Sequence, residues 1–518
     1  MTAIITSKFR ISAAKFIKEK IKEDPYFMFL GRNQAWHNED ISLANVDNTV
    51  VEATDDNIQV THYDAYQNMQ LIKKINSNQV ELCTSRSTWI SGTQYRAWDP
   101  KHTDLNHNSF DSPLSDRVTV GRDVFLCLYA PVDTVTHNQT DSTITSISTV
   151  QSTVAPTIQT EIGKVEKTSD NYIWKYLYTI SDEMNSGFTT DSFMPVSNPD
   201  PASTDARDVN QSEVQNTASL GKVYTVSIAF GGKYPGNEKP VVQVIGDGNL
   251  AQYADNIIPP ENIDMVSWTD SEGVSWSFIK EIRLHDISTT AEQLNGITTQ
   301  PLIDAWNQAS IVFTSTASES TSAVASLVLP NTGGFGKSAQ YDLNAHNLGV
   351  NCKFDFDPAQ FVTSPMFREI GVITSVEKQT VGTGESPLYA SADPTSTLKK
   401  LVLNDPLNDN NVAALFGSDV KIKMQTAAGM VSAHLDYVQG NSIYYHQDES
   451  TGFLDFKVSG SVVTESETNG QPTGTAEVIS VDSPDIKRFS GDIIYLEKRR
   501  KVLRSDDQIE NIKLIIEL

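Results

Sequence analysis

The chain has 518 residues, with 40 Lys and Arg against 65 Asp and Glu, a formal net charge of −25 at pH 7. That sign excludes a protein whose main task is gripping phosphates, and no run of about 18 apolar residues offers a helix to a membrane. With 39% hydrophobic residues, 28 Gly and 21 Pro, the chain is neither collagen-like nor low-complexity, and its length predicts roughly three domains.

From the start, Met1–Arg10 lacks the apolar core of a secretion signal, which predicts synthesis in a cytoplasm. Ser7 precedes Phe9, Ala13, Phe16, Ile17 and Ile21, apolar at helical spacing, and Pro25 follows as a stop; together they predict an amphipathic helix over 8–22 with those side chains on its buried stripe. Tyr26–Leu30, closed by Gly31, reads as a buried strand. Ala65, Met69, Ile72 and Ile75 predict a second helix, with Lys73 and Lys74 near its C-terminal end, where cations favour the helix dipole.

Beyond that the strand period dominates: 124–129, 172–180, 223–230, 241–245, 323–329, 420–424 and 509–518 are short, β-branched or aromatic, and bounded by Gly, Asn, Asp, Pro or Ser. The polar stretches 134–170 and 197–219 read as surface loops, and 376–400 as a boundary. The expected fold is mainly β with a few helices (α+β), multi-domain, with sandwich-like β units joined by long polar loops. Its expected domains are an N-terminal α+β domain at 1–195, a β-rich middle domain at 196–375, and a β-rich C-terminal domain at 376–518 whose tail returns to the core.

Signs of chemistry are thin. Cys83, Cys127 and Cys352 are far apart and form no Cys-x-x-Cys pair, so reduced, partly buried thiols are expected. Asn331-Thr-Gly-Gly-Phe-Gly336-Lys337-Ser338 ends like a phosphate-binding loop, but Asn331 stands where the first Gly belongs and Gly349 follows too soon for the required helix; a glycine turn between β elements is expected. His102, Asp104 and His107 lie in a polar loop without a fourth ligand at diagnostic spacing, and Asp355 and Asp357, flanking Phe356, are simple solvent-facing charges as readily as a glycosidase pair. No catalytic residue, cofactor or metal is expected. Lys498-Arg499-Arg500-Lys501, beside Glu497, is the one dense cationic run and reads as a solvated or partner-facing edge. Aromatic residues concentrate in the first 180 positions, as core or as subunit contact anchors.

Taken in order, Thr6-Ser7-Lys8-Phe9-Arg10, Phe29-Leu-Gly-Arg32 followed by Trp36, and Asn68-Met69 leading to Lys73-Lys74-Ile75 are succeeded by Trp89-Ile-Ser-Gly-Thr-Gln-Tyr95 with Trp98-Asp99, Val124-Phe-Leu-Cys-Leu128, and Tyr172-Ile-Trp-Lys-Tyr-Leu-Tyr-Thr-Ile180. Together they resemble the baseplate wedge protein of contractile-tailed, T-even-like bacteriophages, the wedge component that is a homodimer. Thr190-Asp191 with Met194-Pro195-Val196, Phe367-Arg-Glu-Ile-Gly371, and Ser490-Gly-Asp-Ile-Ile-Tyr495 through Asp507-Gln508 to Glu510-Asn-Ile-Lys-Leu514 extend the likeness to the end of the chain. The stretches 134–170, 197–219 and 376–480 are longer than in a compact member.

The resemblance implies a non-enzymatic virion protein of the tail baseplate, made in the host cytoplasm. Its implied partners are a second copy of itself and other wedge and tail-fibre-attachment proteins, with no nucleic acid and no membrane insertion. The residues it marks as architectural or contact positions are Trp89, Gly92, Tyr95, Trp174, Tyr176, Gly491, Tyr495, Arg499, Asp507 and Gln508. A virion carbohydrate-binding adhesin or depolymerase is the alternative, motivated by Tyr and Trp beside abundant Asp on a β scaffold.

Overall fold

The computed structural model describes residues 6–32, 34, 36, 57–100, 114–137, 144–219, 222–236, 238–245, 262–283, 309–315, 317, 320–354, 367–380, 387–391, 395–404, 416, 420–464, 474–502 and 510–518. The fold is mainly β with a few helices, arranged in several sheets. Among the described residues no helix is long and apolar enough to cross a membrane.

Two compact units form, neither of them continuous in the chain: Met1–Lys15 with Glu81–Gly349 and Glu517–Leu518, and Phe16–Val80 with Val350–Ile516. These are not the consecutive segments 1–195, 196–375 and 376–518, because strands from distant parts of the chain are neighbours in the sheets.

The second unit is built on a five-stranded sheet in the order Thr395–Ser396, Met69–Lys74, Tyr26–Gly31, Phe367–Thr374, Asp492–Val502, with every pairing antiparallel. Tyr26–Gly31 is buried along almost its whole length, which is why its sequence is a continuous apolar run and not an alternation. Met69–Lys74 corrects the expected second helix. The helix is Ile58–Asn68, capped by the Asn57 side chain accepting from the Gln59 N–H. It stops at Asn68, where the chain turns directly into a strand that sets Leu71 opposite Leu30 and Ile72 opposite Phe29. Met69, Ile72 and Ile75 suit a helix by spacing, but the available strand partner decides.

Between Phe367–Thr374 and Asp492–Val502, which are neighbours in that sheet, the chain builds a closed barrel. Its six strands run, in order around the barrel, Lys399–Asn404, Ser442–His446, Gly429–Gln439, Lys421–Thr426, Ser461–Thr464 and Thr475–Asp482. Val431, Ala433 and Leu435 alternate into its core and closure leaves no free edge. The 376–400 stretch, expected as a boundary, leads into this barrel.

The first unit holds a four-stranded sheet in the order Val165–Lys167, Ile173–Thr179, Asp123–Tyr129, Arg117–Val120. It also holds a sandwich, in which the sheet Val226–Phe230, Ala323–Leu327, Ser310–Thr314, Val241–Ile245 shares a core with the sheet Tyr234–Pro235, Ser275–Ile282, Ile263–Thr269; Ile311 and Phe313 meet Ile263, Ile279 and Ile282 there. Two expected loops contain regular structure. Within 134–170 lies most of the hairpin Val132–His137 with Ile144–Thr149, in which Thr149 alone is buried, so it carries no apolar alternation to read. Within 197–219 lies the helix Ala206–Thr217, capped by Asp205 and burying only Gln211 and Val214.

The N-terminal helix is Ser7–Glu23; of its expected stripe Ile21 is buried and Ala13 and Ile17 are half-buried, while Phe9 and Phe16 are each 63% exposed and Ile11 and Ala14 are inside instead.

Candidate functional site

Five of the singled-out residues meet in the first unit. Tyr95, Trp174 and Tyr176 are buried, and Trp89 packs half-buried against the same cluster. The Tyr95 ring stands edge-on to Trp174 at 5.6 Å, and Tyr172 and Trp174 stack at 5.6 Å. Three of the polar tips are satisfied: the Ile90 N–H donates to Tyr95 Oη at 2.8 Å, Trp89 Nε1 donates to Ser152 Oγ at 3.1 Å, and Tyr176 Oη lies 2.8 Å from Thr179 Oγ1, while Trp174 Nε1 is buried with no hydrogen-bond partner among the described residues. Gly92 turns the chain between Trp89 and Tyr95 at φ 84°, and its N–H donates to the Ser152 carbonyl at 2.7 Å. Burial raises the Tyr95 and Tyr176 hydroxyl pKa values, so both stay neutral. The cluster is a core and offers no open aromatic face to a sugar.

Gly491, Tyr495 and Arg499 are in the second unit. Gly491 has φ 86°, and a Cβ there would lie 2.6 Å from the Thr374 carbonyl oxygen, so conformation and space both require glycine. Tyr495 sits opposite Val372; burial and Glu497, to which its hydroxyl donates at 3.1 Å, push its pKa up to about 12. The Arg499 carbonyl accepts from Trp36 Nε1 at 3.0 Å. Over the Trp36 ring lie the Arg32 guanidinium at 4.1 Å and the Lys498 ammonium at 5.2 Å, each a cation–π contact. Lys498 is therefore engaged within its own unit, and the Arg499 side chain, 41% exposed, lies 4.0 Å from Glu497. Asp507 and Gln508 fall outside the described residues, as do His102, Asp104, His107, Asp355 and Asp357.

The glycine loop at 331–338 wraps a carboxylate of the chain itself. Asp342, fully buried, accepts from the Gly336 N–H at 2.7 Å and from Asn331 Nδ2 at 3.2 Å. The helix that follows is only Ala339–Asp342, and Lys337 Nζ donates to the Gln215 carbonyl at 3.3 Å. The N–H group that would meet a phosphate is already used. Burial pushes the Asp342 pKa up to about 6 against the hydrogen bonds that favour its charge.

A cleft of the same unit is lined by Tyr129, Asp264, Lys280, Glu281 and Arg283, among others. Both of its carboxylates are engaged by neighbours: Glu281 accepts from the Tyr129 hydroxyl and from the Val132 N–H at 3.2 Å, and Arg283 pairs with Asp264 at 2.7 Å. All three cysteines are free and buried. Burial raises the pKa of Cys127 and pushes that of Cys352 up to about 12, so neither is a nucleophile at neutral pH.

No protein-family model matches the chain, and no curated protein matches it. The sequence did not single out Asp342 as the residue that organises the glycine loop, nor the pairing of Arg32 and Lys498 on Trp36. For Asp342 a local signal exists, an acid six residues beyond Gly336 of the glycine loop. For Trp36 there is none, because its two cations come from opposite ends of the chain.

Proposed function

We propose that the protein is a structural subunit of a phage tail baseplate wedge. It forms a homodimer and assembles with other wedge proteins and with tail-fibre-attachment proteins. One observation carries this reading. Phe29-Leu-Gly-Arg32, Phe367-Arg-Glu-Ile-Gly371 and Ser490-Gly-Asp-Ile-Ile-Tyr495, three of the segments that resemble the wedge protein, are far apart in sequence yet lie along three neighbouring strands of one sheet, with Phe29 opposite Gly371 and Gly371 opposite Leu496. A likeness confined to short motifs has no reason to select strand neighbours, whereas a shared fold does. The long 376–480 stretch supports the same reading, since it holds a self-contained barrel inserted between two of those strands. An acidic subunit present in many copies meets its neighbours through apolar or locally basic surface.

Light scattering of the purified full chain at micromolar concentration should give the dimer mass, and mixing with other wedge proteins should give co-sedimenting complexes, through contacts above about 1,000 Å². A stable monomer that binds none of them overturns the proposal.

A further inference from the structure

His434 and His446 face each other as a register pair on adjacent strands of the barrel, their rings 5.0 Å apart and 18° from parallel. Asp448 stands two residues beyond His446, at a turn that fixes its carboxylate: Oδ1 accepts from the N–H groups of Ser450 at 2.8 Å and Thr451 at 3.0 Å, and Oδ2 lies 3.1 Å from His434 Nε2. One donor atom from each of the three side chains lies within 4.8 Å of the others.

His446 is the decisive member. It is fully buried, and so is Asp436, whose Oδ2 lies 2.7 Å from His446 Nδ1 and whose Oδ1 accepts from Gln70 Nε2 at 3.3 Å. A carboxylate on Nδ1 fixes the proton there and leaves the lone pair on Nε2. That Nε2 is buried with no hydrogen-bond partner among the described residues. Simple barrel packing leaves this nitrogen desolvated and uncompensated. A carboxylate behind a histidine whose other nitrogen faces a second histidine and a second carboxylate is the arrangement of a metal ligand set.

We propose that His434, His446 and Asp448 bind a divalent transition-metal ion, zinc by preference, through the two Nε2 atoms and Asp448 Oδ2, with Asp436 as a positioning residue. Two imidazoles with one carboxylate suit zinc and disfavour magnesium and calcium, which take oxygen ligands. Donors on a tetrahedral zinc ion sit about 3.3 Å apart, so the widest separation closes by about 1.5 Å, within reach of side-chain rotation. The ion ties the hairpin of Gly429–Gln439 and Ser442–His446 to the turn that follows it, a stabilising role.

The test uses the full chain, stripped with a chelator and titrated with zinc chloride while calorimetry and thermal unfolding are followed. The expected result is one zinc ion bound per chain at this site, a higher Tm with zinc and no shift with magnesium or calcium. Cobalt chloride should give the visible absorption of a site with nitrogen ligands. Asp448→Asn, which keeps an oxygen for the Ser450 and Thr451 N–H groups, and Asp436→Asn should each weaken zinc binding tenfold or more. If His446→Ala fails to fold, these two variants still decide. No zinc binding at micromolar concentration, or equal affinity in wild type and Asp448→Asn, overturns the proposal.

Discussion

A buried carboxylate beneath a glycine loop carries a consequence that can be measured. The Asp342 pKa is raised from 3.8 to about 6 in the folded protein. Between about pH 4 and 6 the folded chain therefore holds a proton that the unfolded chain releases, and this group's contribution to stability rises as pH falls through that window and is smallest above it. Urea unfolding of wild type and Asp342→Asn at pH 7 and pH 4.5 should show the difference between them moving in favour of wild type at the lower pH, by at most about 3 kcal/mol. A difference that is the same at both pH values sinks this account. Two glycines with similar φ should separate by surroundings. A Cβ at Gly92 meets nothing within 4 Å, whereas one at Gly491 lies 2.6 Å from the Thr374 oxygen. Gly92→Ala should cost about 1–2 kcal/mol for its left-handed backbone alone, and Gly491→Ala clearly more, because the backbone of the neighbouring strand must also move. Trp174→Ala should cost about 3–5 kcal/mol and Trp89→Ala less, since Trp89 is only half-buried. The aromatic positions were legible as core or contact because their density is high. Which of the two each serves was not, because exposure depends on the neighbours and not on the residue type.

Elements were legible where a single periodicity was possible. Tyr26–Gly31 is too short and too uniformly apolar for a surface helix, and Ser7–Glu23 carries a capping residue and a stop. For Ser7–Glu23, however, the spacing located the helix and only part of its face: Ile21 is buried as expected, but Phe9 and Phe16 are as well spaced as Ile11 and Ala14, and only tertiary contact chooses between two interleaved stripes. Ile11→Ala should therefore cost about 2–5 kcal/mol in unfolding free energy, while Phe16→Ser should stay within about 0.5 kcal/mol. A large cost at Phe16 would overturn this assignment of the buried face. Met69–Lys74 failed for a related reason, since Met69, Ile72 and Ile75 satisfy a helical spacing and a buried strand alike. The helix Ala206–Thr217 failed for the opposite one. It buries only Gln211 and Val214, so it carries no apolar stripe and rests on its Asp205 cap and on packing against Ile173–Thr179.

Across the whole molecule, the barrel has the anatomy of an insertion. It enters through Lys399–Asn404 and leaves through Thr475–Asp482, and these two strands are paired, with Lys400 opposite Asp482. The strands on either side of it in the chain, Thr395–Ser396 and Asp492–Val502, belong to the same five-stranded sheet, as its two edges. Replacing 399–482 by a short Gly-Ser linker should leave the five-stranded sheet folded and the mass per chain reduced only by the excised residues with no change in oligomeric state, as read by circular dichroism and light scattering. Loss of a cooperative unfolding transition would show instead that the barrel is integral to its unit.

The sequence by itself determined the mainly β class, the limits of many strands and the lack of an apolar span, because each of these is written in local composition and period. Tertiary structure alone decided that the chain's compact units are discontinuous and that one glycine loop closes on its own aspartate. It also decided that Trp36 meets Lys498 and that His434 and His446 stand opposite each other above Asp448. Pairings of this kind join residues whose separation along the chain carries no signal. They are settled by which strands find each other, a free energy that belongs to the assembled sheet and to no single segment.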